Sequence, residues 1–180
     1  MKTKDMIIIA LMTSIICMVS PFVVPLPFTP VPFTLSNLII YISCCVLGIK
    51  KGTISVILYL LLGVIGLPVF SGFSAGLPFI VGPTGGYLIG FIFCAVFTGI
   101  FVEKFEDKVY MYTIGMIIGT IVCYTFGTVW LAYQLKLGFL EAIFMGVIPY
   151  LIGDGLKILV GTILGYTLRI RLISMNLINL

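Results

Sequence analysis

The chain of 180 residues contains no histidine, a single tryptophan and only six acidic residues. The absence of histidine, together with the lack of any Cys-x-x-Cys, removes most metal sites. No paired carboxylates occur and no histidine base stands near a nucleophile; Ser71 and Ser74 lack an identifiable partner, so catalysis has little footing. No G-x-x-x-x-G-K-[ST] is present, and the nearest look-alike, Gly48–Thr53, has the wrong spacing, so ATP binding through a P-loop is excluded. The basic residues form no continuous patch, which argues against nucleic acid. Charged residues make up 9% of the chain, where a soluble domain carries roughly 25%. What is there instead is apolar: 61% of residues are hydrophobic, and they indicate an all-α integral membrane protein with no room for a separate soluble domain. The five cysteines (Cys17, Cys44, Cys45, Cys94, Cys123) all fall in apolar segments, where a thiol packs as a small hydrophobe.

In chain order, six apolar spans are expected within one membrane domain, 1–180, at approximately 6–24, 35–47, 53–67, 85–102, 109–133 and 149–168. The first follows a short charged start that resembles a signal peptide but has no small-residue cleavage site; it is read as a retained span. Ala10 and Ser14 lie four apart on one face of it, a spacing that lets another helix approach closely. The connector Pro25–Pro32 contains four prolines and is expected to be extended. Pro68–Thr84 is a long uncharged loop with Phe70, Phe73 and Phe79 set among glycines. Irregular backbone of this kind at membrane depth must be buried or line a cavity, so the loop is expected to fold back onto the protein. Glu103–Lys108 is an aqueous connector, Trp130 and Tyr133 suit an interfacial belt, and part of Gln134–Val147 is read as a short interfacial helix.

Six spans place both termini on one side. That side carries Lys2, Lys4, Lys50, Lys51, Lys104, Lys108, Arg169 and Arg171, against Lys136 alone opposite, so both termini are expected in the cytoplasm. Nearly all charges sit at segment edges. The exception is Asp154 with Lys157, three residues apart in IPYLIGDGLK (Ile148–Lys157). A charge at bilayer depth costs at least ~2.5–3.5 kcal/mol and is read first as functional. Asp154 would lie in the first turn of the last span, where the helix N-terminus favours a carboxylate. It stands ~23 Å along that span from Arg169 at ~1.5 Å per residue, hence in the outer leaflet beneath three uncharged connectors. That describes a small-molecule pocket. An ion pair that only orients helices and a proton relay are the competing readings of the two charges.

VPFTL ending at Leu35, LPVFSGFSAGL at Leu67–Leu77, GPTGGYLIGF at Gly82–Phe91 and GD-x-x-K at Gly153–Lys157 occur in that order. Together they resemble the BioY family, the substrate-binding S components of energy-coupling-factor (ECF) biotin transporters. The resemblance covers most of the chain. It implies a six-helix S-component fold in the plasma membrane of a prokaryote, an outward-opening biotin site, no enzymatic activity and no cofactor. It also implies partners: a transmembrane coupling protein and two cytoplasmic ATPases that supply the energy. In related S components a small-xxx-small motif on the first helix docks the coupling protein; Ala10 matches its first position, and Ser14 stands where alanine is usual. Two further departures are Ile152, where a second proline often precedes the GD pair, and Ser36, where glutamine usually follows VPFTL. For biotin, Asp154 would accept from a ureido N–H, while Lys157 would donate either to the ureido oxygen or to the carboxylate. Phe70, Phe73, Phe79 and Tyr87 would cover the ring and chain, and Gly82, Gly85 and Gly86 would allow close backbone approach. Thr34, Ser74 and Thr84, polar members of the matching motifs, complete the expected site. An S component for another small vitamin, an intramembrane enzyme using Ser71 or Ser74, and a structural adaptor are the alternatives.

Overall fold

The computed structural model describes residues 3–106 and 108–175. Lys2, one of the cations in the charge count above, lies outside the described residues. Helix α1 (Thr3–Val19) buries Ile9, Thr13 and Ile16, a 4-3 stripe, and turns the rest of its surface outward. It stops at Val19 rather than running to residue 24, because Pro21 can neither donate to the helix ladder nor sit in its interior. Val23–Val24 (β1) instead pairs antiparallel with Phe33–Thr34 (β2), Val23 opposite Thr34 and Val24 opposite Phe33. The proline-rich connector is therefore the loop of a small hairpin.

Helix α2 (Ser36–Val64) is a continuous helical assignment interrupted by Gly48, whose φ of 73° and ψ of −170° are not helical. A Cβ placed on Gly52 would stand 3.0 Å from the Cα of Cys44. Eight residues of straight helix would separate those positions by ~12 Å. The chain thus doubles back at Gly48, and the arms 36–47 and 49–64 lie against each other. The turn falls in the expected gap between the spans 35–47 and 53–67, but helix resumes at residue 49 rather than 53 because the second arm has a ready-made cap: Glu103 Oε1 accepts from the Ile49 N–H at 2.8 Å. Lys51, now in the first turn of that arm, pairs with Asp5 of α1 at 2.6 Å.

The loop after α2 folds onto the protein. Phe70 is fully buried between Tyr59 and Phe79, at ring distances of 5.7 and 5.3 Å. Gly76 N–H donates to the Gly63 carbonyl at 2.7 Å and Gly72 N–H to the Pro21 carbonyl at 3.0 Å. The loop also contains a five-residue helix, α3 (Leu77–Val81), with Pro78 in its first turn, where a missing N–H costs no ladder bond.

Helices α4 (Gly85–Lys104) and α5 (Val109–Leu135) form the central antiparallel pair, and α4 also packs on α2. Small residues face the neighbour along that seam: Gly90 against Cys123 and Gly119 against Cys94. A short helix, α6 (Phe139–Gly146), and a single turn at Ile148–Tyr150 lead into α7 (Leu151–Ser174), which packs on α2 and α5. No proline or glycine follows Leu168, so α7 continues past the expected end. Arg169, expected as a boundary residue, is buried, donating to the Cys45 carbonyl and pairing with Glu106, both at 3.0 Å. Among the described residues, four helical runs are long and apolar enough to cross a membrane: Ser36–Val64, Gly85–Lys104, Val109–Leu135 and Phe139–Ser174. The chain is a mostly helical, multi-pass membrane protein.

Candidate functional site

Four helices turn one stripe each toward a common cavity of about 670 Å³, its open mouth included. Thr34 comes from β2, and Asn37 and Tyr41 come from the start of α2. Thr84, Tyr87, Leu88, Phe91 and Cys94 come from α4 and its N-cap. Thr120, Cys123 and Tyr124 come from α5, and Tyr150, Asp154 and Lys157 from the start of α7. The intervals of three, four and seven are those of a single helix face. Val31, Pro32, Ser71 and Phe79 close the cavity from the two connectors.

The charge pair is at its wall. Lys157 Nζ lies 2.7 Å from Asp154 Oδ1, and both residues are 6% exposed. Tyr124 donates its hydroxyl proton to the other carboxylate oxygen, Asp154 Oδ2. Both oxygens are therefore engaged, which fixes the plane of the carboxylate. The Phe33 ring lies under Lys157 Nζ at 3.7 Å from its centroid, so strand β2 contributes a cation–π face. The fit depends on Gly153, where a Cβ would run into the Phe33 ring. A desolvated pair held by a tyrosine donor and an aromatic face is poised to bind a ligand carrying both donors and acceptors.

A second chamber of about 780 Å³ lies between the proline-rich hairpin and the Phe/Gly loop. It shares Pro32, Ser71, Phe79 and Thr84 with the cavity, so these four stand at the junction of the two spaces. None of the second chamber's lining residues is charged.

Of the residues expected at the site, Asp154, Lys157, Thr34, Thr84 and Tyr87 are brought together in the cavity wall. Gly82 lines the second chamber and accepts from Trp130 Nε1 at 2.9 Å. Phe73 is not brought to the cavity: it takes a positive φ of 60°, is 59% exposed, and stacks edge-on against Phe22 at 5.5 Å. Ser74 is placed outside it as well, its backbone bridging Phe70 across the turn. Gly85 and Gly86 are also absent from the wall. A Cβ on Gly85 would strike the Ile80 carbonyl, and one on Gly86 the Trp130 side chain, so their smallness serves packing of α4 on its neighbours. Ala10 and Ser14 are far from the cavity, exposed on α1, with Ser14 Oγ donating back to the Ala10 carbonyl at 2.8 Å.

Sequence reasoning missed Asn37, Tyr41, Phe91, Cys94, Thr120, Cys123, Tyr124 and Tyr150. The helical stripes through Tyr87 and Asp154 pointed to some of them; the α5 members carried no charge or motif to mark their face.

The BioY family profile matches residues 1–173. A biotin transporter BioY of Rhizobium etli is 38% identical over 176 residues, covering 92% of each chain. The biotin transporter BioY of Thermotoga maritima is 38% identical over 146 residues, covering 81% of this chain and 85% of its own. A crystal structure of the S-component for biotin from an ECF-type ABC transporter superposes with a TM-score of 0.87 at 30% identity, covering 94% of each chain. The relatives are named as transporters and not as enzymes. With the matched profile spanning nearly its whole length, and the fold and the charged cavity in place, the chain belongs to the BioY family.

Proposed function

We propose that this protein is the biotin-binding S component of an ECF transporter in the plasma membrane of a prokaryote. The carrying observation is the buried Asp154–Lys157 pair, held by Tyr124 and Phe33, in a cavity otherwise walled by aromatic and small side chains. A cyclic urea with an apolar ring and an acidic chain complements such a wall. Its N–H groups meet Asp154, its carbonyl or carboxylate meets Lys157, and Phe79, Tyr87 and Phe91 cover the apolar body. Thr34 and Thr84 supply hydroxyls beside it.

The proposed topology has six crossings: α1, the two arms of α2, α4, α5, and α7 with α6 at its head. Both termini then face the cytoplasm, and the two connectors that close the cavity face outward. The distribution of Lys and Arg supports this orientation. Ala10 and Ser14, exposed and small on α1, are the proposed contact for a transmembrane coupling protein, which two cytoplasmic ATPases would drive.

Equilibrium binding of labelled biotin to the purified protein tests the reading. Binding is expected in the wild type. Asp154→Asn, which replaces the charged acceptor facing the ligand, is expected to reduce affinity roughly tenfold to hundredfold or more; a hydrogen bond to a charged group is worth about 1.5–3 kcal/mol. Wild-type protein that binds no biotin, or an Asp154→Asn variant of unchanged affinity, rejects the assignment. Mass spectrometry of the small molecule retained on purification identifies any other vitamin.

A further inference from the structure

Among the described residues, one fully buried polar side-chain atom of the cavity lining has no partner inside the protein. Asn37 Oδ1 is buried and has no hydrogen-bond partner, and Asn37 lines the cavity. The other unpartnered buried atoms among the described residues are hydroxyls of Ser20, Ser43, Thr53, Thr98 and Thr128, and none of those residues lines it. A hydroxyl can donate or accept as its surroundings require, whereas an amide oxygen only accepts. An acceptor left bare in a dry wall is destabilising unless something brings it a donor.

The tyrosines sharpen what that something must be. Tyr87 donates to the Gly146 carbonyl at 2.9 Å, Tyr150 to the Val31 carbonyl, and Tyr124 to Asp154. Thr120 gives its proton to the Met116 carbonyl at 2.6 Å, so in the 2.6 Å contact between Tyr41 and Thr120 the tyrosine is the donor. All four tyrosine protons are committed to protein acceptors. What these hydroxyls leave for a ligand is oxygen lone pairs. This wall is rich in acceptors, and Lys157 is its one charged donor.

We infer that Asn37 is a ligand-binding and specificity-determining residue: its Oδ1 accepts a hydrogen bond from one ring N–H of a cyclic urea while Asp154 accepts from the other. The inference rests on the proposed function and deepens it. Selection for this ligand is then a demand for two N–H donors, one met by a charged acceptor and one by a neutral acceptor. A ring with oxygen or an alkylated nitrogen in place of either N–H leaves a buried acceptor bare and is rejected.

The test is a cycle of two proteins and three ligands. Wild type and Asn37→Leu are each titrated with biotin and with its two mono-N-methyl isomers, methylated on one or the other ureido nitrogen. The leucine variant is expected to lose roughly ten- to hundredfold in affinity for biotin, the loss of one hydrogen bond together with an unpaired donor. The same loss is expected for the isomer that keeps the N–H facing Asn37. For the other isomer, wild type and variant should bind equally. An identical loss for all three ligands, or no loss for any, overturns the role of Asn37. Failure of wild type to bind biotin overturns the function proposed above and this inference with it. Asn37→Ala carries the same cycle if the leucine variant does not fold.

Discussion

At the scale of single residues, the site is organised by who holds the carboxylate. Asp154 faces Lys157 on one oxygen and Tyr124 on the other, and the lysine rests on the Phe33 ring. Tyr124→Phe removes one donor without changing the shape of the wall. A hydrogen bond to a charged group is worth about 1.5–3 kcal/mol, so biotin affinity should fall roughly ten- to hundredfold, measurable by isothermal titration. Phe33→Leu keeps an apolar contact and removes the π face under Lys157; a desolvated cation–π contact contributes ~2 kcal/mol, and the same titration should show a smaller loss than Asp154→Asn. Asp154 and Lys157 were readable from sequence alone, because a charge inside an apolar run is conspicuous. Tyr124 and Asn37 were not: each is one polar residue among many, and only the packing of α5 and α2 against α7 gives it a partner or leaves it without one. Phe73 went the other way. Its aromatic character suggested the pocket, but the tight turn at Gly72-Phe73 carries the ring to the surface.

At the scale of elements, glycine and proline set the boundaries that hydropathy blurred. Gly48 ends the first arm of α2 at a φ of 73°, and a side chain there would also collide with the Glu103 carboxylate that caps the second arm. Positive φ with ψ near 180° is open almost only to glycine, and forcing a residue with a Cβ into it costs roughly 1–3 kcal/mol, to which the displaced cap adds. Gly48→Ala should therefore lower the thermal unfolding temperature in detergent, whereas Gly155→Ala, where an added Cβ meets nothing within 4 Å, should barely change it. Hydrophobic runs showed where helices lie and ended the first arm of α2 at Leu47 as observed, but the end near Pro21 and the start of the second arm were misplaced because hydropathy is blind to backbone dihedrals. The β1–β2 hairpin was invisible for a different reason: two residues per strand carry no periodicity, and its contacts are distant in sequence, the Tyr150 bond to Val31 from the turn before α7 and the Phe33 ring under Lys157.

At the scale of the whole molecule, the two ends have different tasks. The cavity end holds one buried ion pair, with Lys136 and Glu141 at its surface, while the other end is laced by Lys51–Asp5, Arg169–Glu106 and the Glu103 cap. The exposed Ala10–Ser14 face of α1 is distinct from both. Ala10→Trp should leave biotin binding by the isolated protein unchanged and abolish ATP-dependent uptake in cells that also carry the coupling protein and ATPases; persistent uptake would place docking elsewhere. The cysteines lead to a last consequence. Cys94 and Cys123 are free thiols set in the cavity wall at 1% and 6% exposure, whereas Cys44 and Cys45 are fully buried away from it. Occupancy should therefore be readable at native thiols: a small uncharged thiol reagent is expected to reach Cys94 and Cys123 through the cavity, and saturating biotin should slow that labelling while leaving half-buried Cys17 on α1 unchanged.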